Sequence, residues 1–257
     1  MTASWWSDLP LLTDPLFYAV ALPAVLLVGL SKSGFASGFG SLATPMMALV
    51  IPVPQAAAIM LPLLMVMDGA TLQQLWCHRD RALVRRTVPW GIAGTAVGWA
   101  LFGILSAPAV AALTGALTLA FLAQRLLFPP QPDAPPAPGW VGSGCATLAG
   151  FTSFVAHAGG PPLAAYMLPL KLQPLVYSGS MAVFFGAINL AKWVPFSALG
   201  LIDLRNMATA LVLLPMAPAG VWLGVWLTRH VSNTWFYRLA YTGMLLTGLK
   251  LLWDGLR

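Results

Sequence analysis

Charge is what this 257-residue sequence has least of: charged residues make up 8% of it, and all seven acidic residues are aspartate. A water-soluble domain carries about 25% charged residues to cover its surface. With 59% hydrophobic residues and a mean hydropathy of +0.81, the chain cannot clothe a water-facing surface, and a lipid bilayer is the remaining solvent. Cysteine is scarce as well. Cys77 and Cys145 are too few for a disulfide framework and lack metal-site spacing, so both are read as free thiols and no metal is expected. Residues 1–14 contain Asp8 and Asp14 but no Lys or Arg, so no signal-peptide head precedes the first apolar run, which is read as a retained span. Soluble enzyme, secreted disulfide scaffold, coiled coil and disordered chain are excluded.

Glycine (24) and proline (22) are plentiful, and both are tolerated in membrane helices, where neighbours or water-lined cavities satisfy the freed backbone groups. The net charge of +6 comes from 13 Lys and Arg, most of them in short loops between apolar runs. That is the positive-inside pattern of a membrane protein. No basic stripe with interleaved aromatics accompanies it, so no nucleic-acid partner is expected.

Apolar runs lie at about 15–31, 36–51, 53–76, 88–105 and 109–128, and again at about 140–157, 160–170, 174–197, 207–228 and 234–254. Between the two sets lies PPQPDAPPAPG, residues 129–139, whose composition is that of a linker. The halves match at a constant offset through Gly34 and Gly150, Ser37 and Ser153, and Pro45 and Pro161. Asp68 falls opposite Asn189, Asp80 opposite Asp203 and Ser106 opposite Ser232, with the offset growing only across loops, as after a duplication. A first membrane repeat (1–128), a linker (129–139) and a second repeat (140–257) follow. Five runs per half turn the second repeat upside down, the arrangement of many secondary transporters. If the short runs 36–51 and 160–170 are re-entrant, four spans per half remain and the repeats become parallel. Five plus five is preferred. The expected fold is therefore all-α, polytopic, with about eight to ten spans, built from two inverted repeats whose Gly/Pro-interrupted helices meet near the midplane.

Arg79, Arg81, Arg85 and Arg86 crowd the loop after the third run and mark it as cytoplasmic. Counting outward places both termini outside, with Arg125, Lys171 and Arg229 near the inner face. Arg257 runs against this count. Trp5, Trp6, Trp76, Trp90, Trp140 and Trp253 lie near run ends, as an interfacial aromatic belt requires. The localisation implied is a multi-pass protein of the cytoplasmic (inner) membrane, surrounded by lipid.

Two segments carry the chemistry: GLSKSGFASGFGSLATP over 29–45 and GFTSFVAHAGGPP over 150–162. A break in a helix exposes N–H groups at the start of the next half-helix, and these attract anions. Hydroxyls of Ser33, Ser37, Ser41, Thr44, Thr152 and Ser153 add donors, and Gly38, Gly40, Gly159 and Gly160 allow close backbone approach. The bland alternative is that small residues merely let helices pack. Two corresponding segments with Lys32 and His157 embedded favour a site. Asp68 and Lys192 also lie deep in apolar runs, where an ionisable group needs a partner or a water-filled cavity. Lys192 follows Asn189 by three residues, on the same helical face. Lys32 and Lys192 are assigned to offset substrate charge, and Ser37, Thr44, Ser153 and Asn189 to donate hydrogen bonds. Snorkelling lysines and a packing histidine are the alternatives. Asp68 is expected either to pair with Lys32 or Lys192 or to carry protons with His157. No Walker loop or dinucleotide fingerprint is present. Ser153 has no oriented base, so no catalytic residue and no enzyme is expected.

At these residues the sequence resembles the TauE/SafE sulfite-exporter family, from about Leu22 to Arg257. The segments 29–45 and 150–162 carry the resemblance, with PVPQAAAIMLP (52–62) and LTGLKLLWDGL (246–256) adding to it. The resemblance implies a duplicated inner-membrane carrier for sulfite, sulfonates or related sulfur anions, without a bound cofactor. The expected function is secondary transport of such an anion, directed outward, and a homo-oligomer is among the assemblies considered. Other readings are transport of another organic acid or ion, or a membrane sensor or assembly factor.

Overall fold

The computed structural model describes residues 11–12, 14–32, 39–102, 104–128, 137–220, 222–223 and 233–257. The sequence features at Trp5, Trp6, Ser33, Gly34, Ser37, Gly38, Arg229, Ser232 and most of the linker lie outside these residues. Among the described residues there is no strand. The helices are α1 (Pro15–Lys32), α2 (Ala43–Met47), α3 (Val53–Leu75), α4 (Arg81–Phe102), α5 (Ala107–Leu127), α6 (Gly139–Ala156), α7 (Gly160–Met167), α8 (Pro174–Ala198), α9 (Leu204–Leu213) and α10 (Asn233–Leu256). Four are long and apolar enough to cross a bilayer: Pro15–Lys32, Val53–His78, Ala107–Gln124 and Leu175–Ala198. The protein is thus a multi-pass membrane protein. Helices α4, α6 and α10 have 22, 18 and 24 residues, about 27–36 Å at 1.5 Å per residue.

Helix starts follow the sequence chemistry. Proline opens α3, α5, α7 and α8, where its missing N–H costs nothing. Asp80 caps α4 by accepting from Ala82 N at 2.9 Å and Leu83 N at 3.0 Å. Asp203 caps α9 by accepting from Asn206 N at 2.7 Å. These two aspartates are the pair matched between the halves, and they do the same work in each.

The short run of each half folds back instead of crossing. After α1 the chain returns through a 3-10 turn (Phe39–Leu42) and the five-residue α2, with Gly40 lying against Ser31 and Val28. The starts of α1 and α3 are therefore at the same end of the molecule. Leu12 N donates to Thr209 Oγ1 at 3.3 Å and Gln55 Nε2 to Asn206 Oδ1 at 3.1 Å, both within the first six residues of α9. In the second half α6 stops at His157, whose φ of 52° and ψ of 30° are left-handed, and α7 runs back along α6, placing Tyr166 against Gly142 and Gly159 against Ala149. Eight residues of α7 extend only about 12 Å against a hydrocarbon core of about 30 Å. The expectation of five spanning runs per half is corrected accordingly.

Helices α3 and α8 are antiparallel: Gly179 packs on Leu75 and Arg79, Gly186 on Leu72, and Asn189 bonds Asp68. Glycines set the closest crossings. A Cβ at Gly94 would overlap the Thr147 carbonyl, and one at Gly150 the Gly91 carbonyl, so α4 and α6 touch backbone to backbone. Gly115, Gly248 and Gly255 do the same for α5 and α10. At Gly150 the packing reading of the second glycine-rich segment therefore holds. One apolar core joins α1, α2, α3 and α9 through Phe17, Val25, Met47, Ile59, Met60 and Leu213. Another is built on the edge-to-face rings of Phe102, Phe154 and Phe196.

Candidate functional site

The last turn of α1, the end of α6 and the middles of α3 and α8 converge on one buried polar chain. Lys32 Nζ forms an ion pair with Asp68 Oδ1. Asn189 Nδ2 donates to Asp68 Oδ2 at 2.7 Å. Lys192 Nζ donates to Asn189 Oδ1 at 2.9 Å, and to both the Ser153 carbonyl and the Ser153 hydroxyl at 2.7 Å. It also lies 3.0 Å from His157 Nδ1, while His157 Nε2 is 2.9 Å from the Ala57 carbonyl oxygen. A carbonyl only accepts, so the Nε2 proton is assigned to that bond and the Nδ1 lone pair faces the Lys192 ammonium, whose three N–H are shared among four acceptors. Asp68, Ser153, Asn189 and Lys192 are buried, Lys192 completely. The Lys32 side chain keeps 21% exposure and its ammonium faces the Phe185 ring, 6.0 Å from the centroid.

Local sequence explains why the chain breaks here. The left-handed His157 ends α6, with His157 N bonding Ser153 O at 3.0 Å and Ala158 N bonding Thr152 O at 3.2 Å, the pattern by which a helix terminus satisfies its last carbonyls. Gly159 then packs so tightly on Ala149 and Ser153 that a side chain would not fit. Helix C-termini carry partial negative charge, so the ends of α1 and α6 favour the ammonium groups placed at them.

Beside this chain is a cavity of about 500 Å³, with Lys32, Gly40, Ser41, Ser153, His157, Gly160 and Asn189 in its wall. Of the residues expected at the site, Lys192 and Asp68 stand behind the wall, holding Asn189, Ser153 and His157. Thr44 is buried in α2 outside the cavity lining, and its hydroxyl has no hydrogen-bond partner among the described residues. Gly159 serves the turn. Ser33, Ser37 and Gly38 lie outside the described residues. Thr152 spends its hydroxyl on the carbonyls of Leu148 and Ala158. Sequence reasoning missed Ser31, Thr71, Tyr177, Ser178 and Phe185, which also line the cavity. Stepping back from Asn189 by four residues at a time reaches Phe185, Met181 and Tyr177, one face of α8; that periodicity was the available signal.

The half-helix N-termini contribute less than expected. Pro161 and Pro162 have no N–H, and Leu163 N already bonds Gly159 O at 3.5 Å, so Gly160 supplies the first turn's remaining donor. Positive charge in the site therefore comes from side chains: among the described residues, the amino groups of Lys32 and Lys192 are grouped with one carboxylate, Asp68. Among the described residues no group of three or more His, Cys, Asp or Glu is placed to hold a metal ion.

The family model for sulfite exporter TauE/SafE matches residues 21–251, spanning both breaks and every residue of the polar chain. The chain belongs to the sulfite exporter TauE/SafE family. Comparison with curated proteins and with solved structures finds no match. In this TauE/SafE member the two segments that carry the family resemblance are those that end α1 and α6 at the cavity. The family is one of transporters.

Proposed function

We propose that this chain is a secondary transporter that exports a small sulfur anion, sulfite or an organosulfonate, across the cytoplasmic membrane. The observation that carries this reading is the imbalance of charge beside the cavity. Among the described residues the amino groups of Lys32 and Lys192 stand beside one carboxylate, Asp68, so with both protonated the buried chain holds one positive charge in excess. A buried excess charge is costly unless something offsets it, and an anion in the cavity does so. Lys32, Ser153, Asn189 and His157 form the binding wall, with Gly40 and Gly160 giving backbone access. Ser33, Ser37, Gly38, Thr44 and Gly159 belong to the segments around it. Asp68 and Lys192 act through the residues they hold.

The repeat reading supports alternating access. The antiparallel α3 and α8, the matched caps Asp80 and Asp203, and hairpins entered from opposite ends are what an inverted duplication of 1–128 and 140–257 about the linker 129–139 produces. A hairpin that returns to its own side adds no crossing, so re-entrant runs leave each half odd and do not make the repeats parallel. The Arg79, Arg81, Arg85 and Arg86 end is cytoplasmic in this reading, and both termini are outside.

Purified protein in liposomes tests the proposal. Sulfite or an alkanesulfonate is expected to leave loaded vesicles at a rate proportional to protein content. No movement and no binding across a panel of sulfite, sulfate and alkanesulfonates overturns it.

A further inference from the structure

Lys192 is held in a way unlike a substrate-binding lysine. Its ammonium is enclosed by the Ser153 carbonyl and hydroxyl, each at 2.7 Å, the Asn189 amide oxygen at 2.9 Å and His157 Nδ1 at 3.0 Å. The side chain is fully buried and does not touch the cavity, whereas Ser153, His157 and Asn189 do. Each neighbour offers a lone pair, and none carries a formal charge. One is a backbone carbonyl from the last turn of α6, just before the break. Asp68 stands one hydrogen bond further out, behind Asn189. Secondary transporters hold a coupling cation in such a place, using carbonyls at unwound or C-terminal ends of half-helices. An alkali cation asks for what an ammonium asks for: oxygen ligands, negative potential and little directionality.

We propose that the Ser153, His157 and Asn189 shell is a monovalent-cation site which this chain fills with its own Lys192 ammonium. The tethered charge stays with the protein through the cycle, so no sodium or potassium gradient is drawn on. Only this last consequence rests on the transport reading; the site itself does not. Replacing Lys192 with a short side chain vacates a position that an ion reaches from the cavity, between residues that already line it.

Thermal unfolding of the purified full-length protein in detergent tests the site without any substrate. Lys192→Ala is expected to unfold several degrees higher in potassium or sodium chloride than in choline chloride of equal ionic strength. The wild type and Lys192→Met, whose side chain fills the space, are expected to be indifferent to the cation. Adding Asn189→Leu to Lys192→Ala should abolish the response. Equal behaviour of Lys192→Ala in all three salts, folded or unfolded, overturns the proposal while Lys192→Met folds. Should both variants lose the fold, the wild type decides by the same measurement: equal unfolding temperatures in the three salts support a site already filled by Lys192, and stabilisation by sodium or potassium over choline overturns it. Absence of any sulfur-anion flux overturns the transport reading alone, because the unfolding measurements use no anion.

Discussion

Lys32 has two duties, one toward Asp68 and one toward the cavity, and substitutions separate them. Lys32→Ala removes a charge-assisted donor worth roughly 1.5–3 kcal/mol, so anion binding measured by calorimetry should weaken by about one to two decades. The same change strands a buried carboxylate. Breaking a buried pair costs about 3–5 kcal/mol, and the partial exposure of Lys32 places the loss below that range. Thermal unfolding should therefore fall for Lys32→Ala and recover for Lys32→Met combined with Asp68→Leu, with binding lost in both. Recovery of binding in the double variant would remove Lys32 from the substrate wall. His157 also has two duties, as a left-handed cap and as a cavity residue. Asn tolerates the left-handed region far better than a β-branched residue. His157→Asn is expected to keep the unfolding temperature near the wild type while weakening anion binding, and His157→Val to lower both. Equal unfolding of the two variants would mean the turn does not depend on this residue's backbone preference.

At the scale of elements, most of the helices were legible because apolar runs, opening prolines and capping aspartates agree over 53–76, 109–128 and 174–197. The helix starts were legible too, since Asp80 and Asp203 sit where helices must be capped. What hydropathy does not encode is direction. Runs 36–51 and 160–170 are apolar enough to be read as spans, but Gly142 makes room for Tyr166 and Gly40 lies on Ser31, contacts that exist only when the chain turns back. The expected donors at the start of α7 were missed for a plainer reason, the absence of N–H at Pro161 and Pro162. The glycine crossings give a sharper test. At Gly94 the obstacle to a side chain is the Thr147 backbone, which cannot rotate away. Gly94→Leu should force α4 from α6 and lower the unfolding temperature by several degrees, whereas the exposed neighbour Ile92→Leu should not. An unchanged Gly94→Leu protein would show that α4 and α6 need no close contact.

For the molecule as a whole, orientation is the property most open to measurement. Cys77 is free and exposed, next to Arg79, and the cavity reaches the same end at Leu75 and Leu175. A membrane-impermeant maleimide should label Cys77 in inverted vesicles and spare it in intact cells. Ala107→Cys in a Cys77→Ser background should give the opposite pattern, and the reverse of both overturns the assigned orientation. Outward movement of an anion is then favoured by about 2.3 kcal/mol per charge per 100 mV. Efflux from liposomes should accelerate with an inside-negative potential, and an unresponsive rate would mean a counter-charge travels with the anion. The contact between Asp68 and Asn189 at 2.7 Å bears on how such a molecule arose. In the duplication proposed above these two residues stand at matched places, so each would meet its own counterpart. Two copies of one gene product assembled head to tail would present identical residues there: a pair of aspartates, repelling unless they share a proton, or a pair of amides, with no charge to hold Lys32. One base change in a codon turns aspartate into asparagine. If the halves were joined as the proposed duplication has it, a single chain would allow that change on one side only, a departure from symmetry that a homodimer has no means to make.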